Sequence, residues 1–325
     1  MGRGERVVPG VWRLRLPLPW PGVPHCNAWA LAAGDGIVLV DTGMHQPGSL
    51  AHLERALGQV NLRLEHVRLL VCTHAHADHY GQAATIMERA GCPLWIHPAL
   101  EHVRSYVADP DGGTARRLEV ARQSGVPEEP LAAWSQARRV TGSGIAALVE
   151  PDRPLTEGAT VTTDLGDWHV VETPGHAPSH VCLHQPDHDM LISGDHLLGR
   201  VSLYYDLGYT PDPVGEFLES LDKVARLKAR LCLSGHGKPF ADHVGHLRAN
   251  RELVAERVEA AYGALADGSR SAYDLIPAIY GTGLTAGTAA WWLTETNCYL
   301  RHLEQTGRVS TVEGERPTMW RHADR

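Results

Sequence analysis

The sequence predicts an α/β fold in which two β-sheets pack face to face and carry helices on their outer surfaces, an αββα sandwich. Short apolar segments alternate with amphipathic ones over the first hundred residues, which is the pattern of strands and helices in turn. A second β-rich stretch begins after about residue 150 and also ends in a helix and a strand. Because each half has its own strands and helices, we expect one sheet from each half.

The first half begins with strands and continues as alternating helices and strands. Three short β-type segments are separated by Pro and Gly: GVWRLRLPL, NAWALAAG and GIVLVDTG. Helical spacing in PGSLAHLERALGQVNL is followed by the apolar run VRLLVCTH, which is typical of a buried strand. The helix GQAATIMERAG and the strand PLWIHP complete this half.

The alternation stops between about residues 99 and 150, where we predict a helical insert. Its arginines could bind an anionic substrate through their guanidinium groups, although a solvated helix face is the simpler interpretation. These arginines are Arg104, Arg116, Arg117, Arg122, Arg138 and Arg139. The second half then follows as the strands ATVTTDLGDWHVVETPGH and HVCLHQPDHDMLISGDH, the helix GEFLESLDKVARLKA and the strand RLCLSGHG.

The last part of the chain has a different character. After residue 240 a long amphipathic helix is followed by two further helical segments and by RVSTVEGERPTMW, which reads as a hairpin with EGE at its tip. Three helices and a hairpin predict a small winged-helix-like domain over residues 241–325, beside a larger catalytic domain over residues 1–240. This tail has nine Arg and no Lys against eleven Asp and Glu, so we do not expect it to bind nucleic acid. We expect it to narrow the cleft or to form a homodimer contact.

The composition excludes several classes of protein. A net charge of −8 argues against a protein whose main task is to bind nucleic acid backbones. Pro and Gly interrupt the N-terminal segment before any long apolar run, so we expect neither a signal peptide nor a membrane span. Six cysteines form no CxxC pair, and we interpret them as buried reduced thiols of a cytoplasmic protein. They are Cys26, Cys72, Cys92, Cys182, Cys232 and Cys298.

The motif THAHADH follows a predicted buried strand and concentrates metal-binding groups. It contains His74, His76, Asp78 and His79. Ligand sites of α/β proteins lie where strands end and side chains converge above the sheet edge. Imidazole and carboxylate groups without thiolate suit Zn, Fe or Mn and argue against a structural zinc of the cysteine type.

Three more predicted strands end in the same way. ETPGHAPSH offers His176, LISGDH offers Asp195 and LCLSGHG offers His236. Together the four strand ends supply seven ligands, which is too many for one tetrahedral zinc and about right for two metals that share a carboxylate. The sequence therefore predicts a binuclear site.

This set of motifs, HxHxDH followed by TPGH, SGDH and SGHG, resembles that of the metallo-β-lactamase-fold hydrolases such as glyoxalase II. The resemblance covers about residues 7 to 240. It implies the metallo-β-lactamase fold and two zinc ions, with Fe or Mn as alternatives. It also implies that the first metal is bound by His74, His76 and His176, that the second is bound by Asp78, His79 and His236, and that Asp195 bridges them.

The resemblance implies roles for two further features. Asp41 of LVDTG matches an aspartate that orients a ligand histidine in the family, as metal-bound imidazoles generally require. The zinc β-lactamases typically have Cys where Asp195 stands and are secreted, so we do not expect antibiotic hydrolysis.

Other aromatic and imidazole side chains are candidates for contact with a small-molecule substrate. Tyr204 and Tyr205 follow Asp195 closely enough to form a wall of the site, and Tyr209 could join them. His180 matches a histidine that often follows TPGH in relatives, with a structural role as the equal alternative. The remaining histidines lack ligand spacing, and we expect loop or surface positions for His25, His97, His184 and His188.

The ligand set predicts the chemistry. Two neighbouring cations lower the pKa of a shared water, so that a bridging hydroxide forms near neutral pH, and one of them polarises the scissile carbonyl. Asp78 is the candidate catalytic residue, because it can hold this nucleophile and take its proton. We therefore predict a binuclear zinc hydrolase that cleaves a small thioester, a lactone or another ester.

Two alternatives remain open. The tail resembles the winged-helix tail of a subgroup that includes RNA-cleaving members, so one alternative is a metal-dependent endoribonuclease. The other is a mononuclear iron persulfide dioxygenase, because relatives with that activity keep HxHxDH but use only part of it as ligands. The complete seven-residue set favours two metals.

Overall fold

The computed structural model describes residues 1–20, 22–140, 142–283, 285 and 288–323, and at 137–140 it describes the backbone alone. Two β-sheets pack face to face between layers of helices, so the predicted αββα sandwich is confirmed. The first sheet has seven strands in the order of the chain. These are β1 (Arg3–Val8), β2 (Val11–Trp20), β3 (Val23–Ala33), β4 (Gly36–Val40), β5 (Val67–Val71), β6 (Leu94–Ile96) and β7 (Arg153–Pro154).

The second sheet has five strands, and its order is the reverse of the chain order, from the last strand to the first. In chain order they are β8 (Thr160–Thr163), β9 (Gly166–Glu172), β10 (Val181–Gln185), β11 (Met190–Gly194) and β12 (Leu231–Ser234). β4, β5 and β6 are parallel to one another, as are β11 and β12. Parallel strands lie side by side with their carboxyl ends at one edge, so each sheet offers one such edge to a site.

The helices on the first sheet and in the insert precede those that cover the second sheet. The first group is α1 (Ser49–Gly58), α2 (Ala77–Tyr80), α3 (Ala83–Ala90), α4 (Glu101–Ala108), α5 (Pro110–Gln123) and α6 (Glu128–Val140). The second group is α7 (Pro213–Ala225), α8 (His243–Gly263), α9 (Ala272–Tyr280) and α10 (Ala289–Gln305). The helical insert predicted over about 99–150 thus contains α4 to α6.

The period of two in the strands explains the layers. In β4 all of Ile37 to Val40 are buried, and alternate residues face opposite sides of the sheet. Val38 and Val40 join the core between the two sheets, whereas Ile37 and Leu39 join the core beneath the helices. Trp29 and Trp168, one from each sheet and both fully buried, fill the space between the sheets.

The C-terminal segment packs on the outer face of the second sheet. α8, α9 and α10 surround a three-stranded sheet made of β13 (Arg270–Ser271), β14 (Val309–Thr311) and β15 (Met319–His322), and β14 and β15 form the predicted hairpin. One continuous hydrophobic core extends from β11 through α7 to α8 and α10. The winged-helix-like domain and its boundary at residue 240 stay predictions.

Two expectations from the composition can be compared with the structure. All six cysteines are buried and unpaired, as predicted. Within the described part of the chain, no helix combines the length and the apolar character that a membrane crossing requires.

Candidate metal centre

The seven predicted ligands lie together where four strands end. His74, His76, Asp78 and His79 follow β5, with the last two on the single turn of α2. His176 follows β9, Asp195 directly follows β11, and His236 lies two residues beyond β12. Both sheets therefore contribute ligands to one site at the shared edge of the sandwich.

The first predicted set consists of three histidines. One ring nitrogen from each of His74, His76 and His176 lies within 4.8 Å of the others. His76 Nδ1 and His176 Nε2 are 3.0 Å apart. His74 Nε2 is buried without a hydrogen-bond partner among the described residues. Since an unpartnered buried nitrogen is costly, its position fits a cation that would accept its lone pair.

The second predicted set combines a carboxylate with two histidines, Asp78, His79 and His236. Asp78 Oδ2 lies 3.1 Å from His236 Nε2 and 3.5 Å from His79 Nε2. The two Nε2 atoms are 3.4 Å apart. Three donor atoms thus face a common point.

Asp195 faces members of both sets. Its Oδ2 lies 3.2 Å from His236 Nε2 and 3.7 Å from His176 Nε2, and its Oδ1 lies 3.4 Å from His79 Nε2. Oδ1 is buried and has no hydrogen-bond partner within the described part of the molecule. Only oxygen and nitrogen atoms belong to these sets, and this chemistry suits Zn, Fe or Mn.

Outer hydrogen bonds fix the tautomers of His74 and His79. Asp41 Oδ2 accepts from His79 Nδ1 at 2.8 Å. The Thr73 hydroxyl donates to Asp41 Oδ2 at 3.0 Å and accepts from His74 Nδ1, also at 3.0 Å. With the proton on Nδ1, each ring presents the lone pair of Nε2 to the site. The expected orienting role of Asp41 thus has a geometric basis.

The other three histidines are held in the same manner. His176 Nδ1 donates to the Tyr204 carbonyl at 3.1 Å, and His236 Nδ1 donates to the His25 carbonyl at 2.9 Å. His76 differs, because its Nε2 donates to Asp206 Oδ2 at 2.9 Å and its Nδ1 faces the site. All five imidazoles therefore direct a lone pair inward, as metal ligands require.

The charges of the site favour a cation. Burial would lower the pKa of His236, but the Asp195 and Asp78 carboxylates raise it to about 10. Burial and the neighbouring His76 lower the pKa of His176 to about 4. The carboxylates thus attract positive charge at one end of the site, while the crowded imidazoles of the other end remain neutral donors.

Sequence reasoning missed Asp206 and His102. Burial would raise the pKa of Asp206, but His76 lowers it to about 2, so the carboxylate accepts the hydrogen bond from His76. His102, on α4, is buried with its Nε2 3.3 Å from Ser179 Oγ and 4.0 Å from Asp206 Oδ2. Asp206 follows no strand and His102 lies within the insert, so neither has the spacing that marks the ligands.

Of the predicted substrate-binding residues, Tyr204 lies beside the ligands. Its ring centroid is 5.7 Å from those of His76 and His176. Tyr205 is wholly buried in the core, with ring centroids 5.5 Å from Phe217 and 6.0 Å from Tyr299. Adjacent residues of the segment point in opposite directions, and the prediction of a substrate contact is wrong for Tyr205.

His180 has a different role from the predicted substrate contact. It is buried, its Nδ1 lies 2.8 Å from Thr173 Oγ1, and its Nε2 accepts from the backbone N–H of Asp195 at 3.1 Å. Both ring nitrogens are thus engaged by the protein, so the substrate-binding prediction is wrong here as well. The alternative structural role fits, because the contact fixes the backbone of Asp195.

Most arginines of the insert with described side chains have carboxylate partners. Arg104 pairs with Glu150 at 2.8 Å, and Arg122 pairs with Glu128 at 2.8 Å. Arg116 lies 3.7 Å from Asp109. Arg117 instead stacks on Tyr106, with its Cζ 4.7 Å from the ring centroid. The side chains of Arg138 and Arg139 lie outside the described residues.

A cavity of about 370 Å³ lies between α5, residues 207–213, α10 and β15. Residues 207–213 continue from Tyr204 and Asp206, so this cavity borders the segment that also forms a wall of the ligand cluster. None of the seven predicted ligands lines the cavity, whose lining includes Val120, Leu207, Asn297, Arg301 and Trp320.

Comparison with known proteins agrees with this architecture. The family model described as the metallo-beta-lactamase superfamily matches residues 21–236. The crystal structure of metallo-beta-lactamase family protein TTHA1429 from Thermus thermophilus is similar to the whole chain. The TM-score is 0.83 and the identity 26%, covering 98% of this chain and 100% of the other.

Two relatives of known sequence are similar over most of their length. "Probable metallo-hydrolase YqjP" from Bacillus subtilis (strain 168) is 23% identical over 297 residues, covering 88% of this chain and 87% of that protein. "Atrochrysone carboxyl ACP thioesterase" from Claviceps purpurea (strain 20.1) is 26% identical over 292 residues, covering 87% of this chain and 76% of that protein.

Proposed function

This chain belongs to the metallo-β-lactamase superfamily and is a metal-dependent hydrolase, and from this premise we propose that it uses two zinc ions to cleave a thioester. Lactones and other small esters are the next substrates in order. The observation that carries the proposal is the position of Asp195, whose two oxygens face one histidine of the first set and two of the second.

The donor atoms support two metals rather than one. His74, His76 and His176 would hold the first ion, and Asp78, His79 and His236 the second, with Asp195 shared. When bound, the two ions would supply an activated water and polarise the scissile carbonyl. A mononuclear site would leave Asp78 and two inward-facing imidazoles buried without a function.

The chain's own groups would orient the reactants and take the proton. Asp78 is the proposed catalytic residue: its Oδ2 faces His236 at 3.1 Å, which leaves the other oxygen to accept a proton from the attacking water. The ring of Tyr204, beside His76 and His176, would form an apolar wall for the acyl group.

The preference for a thioester rests on two observations. The relative from Claviceps purpurea is named as an ACP thioesterase. The cavity between the insert and α10 has a volume of about 370 Å³, which is within the range of small-molecule sites. We propose that it receives the part of the substrate that is remote from the reacting carbonyl.

The two alternatives have less support. An endoribonuclease would need a basic surface for the RNA backbone, but Asp and Glu outnumber Arg in the tail and it has no Lys. An iron persulfide dioxygenase would need only part of the ligand set, whereas all seven side chains converge here. We also propose a cytoplasmic location, because all six cysteines are unpaired.

Elemental analysis of protein purified without chelator tests the proposal. We expect about two zinc ions per chain, loss of thioester hydrolysis after chelation, and recovery on addition of zinc. Acyl thioesters, lactones and RNA are then assayed in that order at equal concentration. One iron per chain together with oxygen uptake on persulfides would refute the hydrolase proposal, and RNA cleavage alone would replace it with the nuclease.

Asp41→Asn tests the outer hydrogen bonds. The substitution keeps the volume but removes the carboxylate that accepts from His79 Nδ1 and from Thr73. We expect zinc affinity to fall by about 10- to 100-fold, measured by competition with a chromophoric chelator. Asp35→Asn is the control, because Asp35 is exposed and pairs with Arg68. Equal zinc affinities in the two variants would contradict the orienting role of Asp41.

A further inference from the structure

The N-terminal hairpin of β1 and β2 contains a buried charge that the site described above does not use. Arg13, on β2, is 3% exposed. Its Nη1 donates to Glu5 Oε1 at 2.9 Å, but the Glu5 side chain is 46% exposed. A buried guanidinium with a partly solvated partner contributes little net stability. The other contacts of Arg13 explain why the charge is retained.

Arg13 is connected to the loop that carries His236. Its Nε donates to Asn27 Oδ1, on the neighbouring strand β3, at 2.8 Å, and its Nη2 donates to the carbonyl of Gly237. Arg13 and Gly237 are separated by 224 residues in sequence. A direct contact therefore joins the start of the chain to the residue after a predicted ligand.

Asn27 holds the same loop from the second strand. Its Nδ2 donates to the carbonyl of Ser234 at 2.8 Å and to that of Gly237 at 3.1 Å. Its backbone N–H donates to the carbonyl of Gly235 at 2.7 Å. Arg13 and Asn27 thus bind three of the four carbonyls in residues 234–237.

The ring of His236 is held by the same strand. His25, two residues before Asn27 on β3, accepts from His236 Nδ1 through its backbone carbonyl at 2.9 Å. His25 Nε2 also lies 3.1 Å from Arg13 Nη2. The histidine expected at a loop or surface position is therefore part of the support for His236.

We propose that Arg13 and Asn27 are positioning residues for the second metal, which hold the 234–237 loop so that His236 Nε2 meets Asp78 and Asp195. This inference rests on the proposed function, in which His236 is a ligand. Arg13 lies before residue 21, where the match to the family model begins. The hairpin would therefore be part of the metal centre as well as of the sheet.

The geometry requires an arginine rather than any cation. The guanidinium has donors in a fixed planar fork, and Arg13 uses them on Glu5, Asn27 and Gly237 at once. A lysine ammonium is a compact point charge on a flexible stem and cannot satisfy these three acceptors with the same geometry. Asn27, held in place by this fork, can direct its amide at the loop.

Zinc titration of the full-length Arg13→Met variant tests the proposal. We expect the first zinc to bind as in the wild type and the second to bind about 10- to 100-fold more weakly, as when an outer partner of a ligand is lost. Arg13→Lys should show a smaller loss of the second zinc. Arg6→Met is the matched control, because Arg6 is an exposed arginine of the same hairpin, and both of its zinc affinities should be unchanged.

The outcomes separate this inference from the proposed function. Wild-type protein that binds a single zinc would refute the two-metal premise itself. Two zinc ions in the wild type, with unchanged affinities in Arg13→Met or an equal weakening of both, would refute the positioning role alone. If Arg13→Met does not fold, as judged by circular dichroism, Asn27→Ala replaces it and must show the same selective loss of the second zinc.

Discussion

Asp195→Ala is expected to abolish hydrolysis and to lower bound zinc from two ions to about one per chain. The carboxylate faces His176 and His236 through Oδ2 and His79 through Oδ1. Its removal deletes an oxygen ligand from both ions and the charge that balances them. A loss of several kcal/mol of transition-state stabilisation corresponds to at least about a thousandfold in rate.

The measurement combines steady-state kinetics with elemental analysis of the same preparation. Asp195→Asn separates charge from shape, because it keeps the volume and also keeps the backbone N–H that donates to His180. Asp35→Ala removes an exposed carboxylate and should retain full activity and both zinc ions. Full activity of Asp195→Ala with two bound zinc ions would rule out a bridging carboxylate.

The position of the site could be predicted because its ligands follow strands. β5, β9, β11 and β12 are each apolar, and each is followed within a few residues by a ligand or a ligand motif. The period of the strands and the Gly residues after them are visible in the sequence, and strand ends of two packed sheets meet at one edge. The convergence of seven side chains therefore follows from local patterns.

The parts of the site outside the strands could not be predicted in the same way. Tyr204 and Tyr205 are neighbours in an irregular segment, and only the packing of α7 and α10 decides that Tyr205 enters the core. Asp206 becomes a partner of His76 because this segment passes over the ring. A segment without a periodic pattern does not indicate which side chain faces inward.

Long-range support is also absent from the sequence. Arg13 lies in VWRLRL, where a charged residue on an alternating strand would ordinarily face solvent. Its burial depends on the carbonyls of a loop more than 200 residues away. The tail shows the same limit: its amphipathic helices were visible, but the single core that they share with β11 and α7 depends on which face each helix presents.

Gly175→Ala is expected to destabilise the fold by about 2 to 6 kcal/mol, the sum of about 1–3 for a strained backbone and about 1–3 for overpacking. Gly175, in TPGH, has φ of +119°. A Cβ at this position would lie 2.5 Å from the backbone N and 2.6 Å from the Cα of Phe217 on α7. Because both obstacles are main-chain atoms, α7 or the turn must move.

The turn has little freedom to move, because the Ser220 hydroxyl on α7 donates to the Pro174 carbonyl at 2.8 Å. A displaced turn would also shift His176, so zinc affinity should fall together with the free energy of unfolding. Gly58→Ala is the matched control: a Cβ there meets no atom within 4 Å at the end of α1, and alanine in a helix is favoured over glycine by up to about 1 kcal/mol. Urea denaturation should therefore give opposite signs for the two variants. Equal midpoints would show that the close approach of α7 does not require glycine.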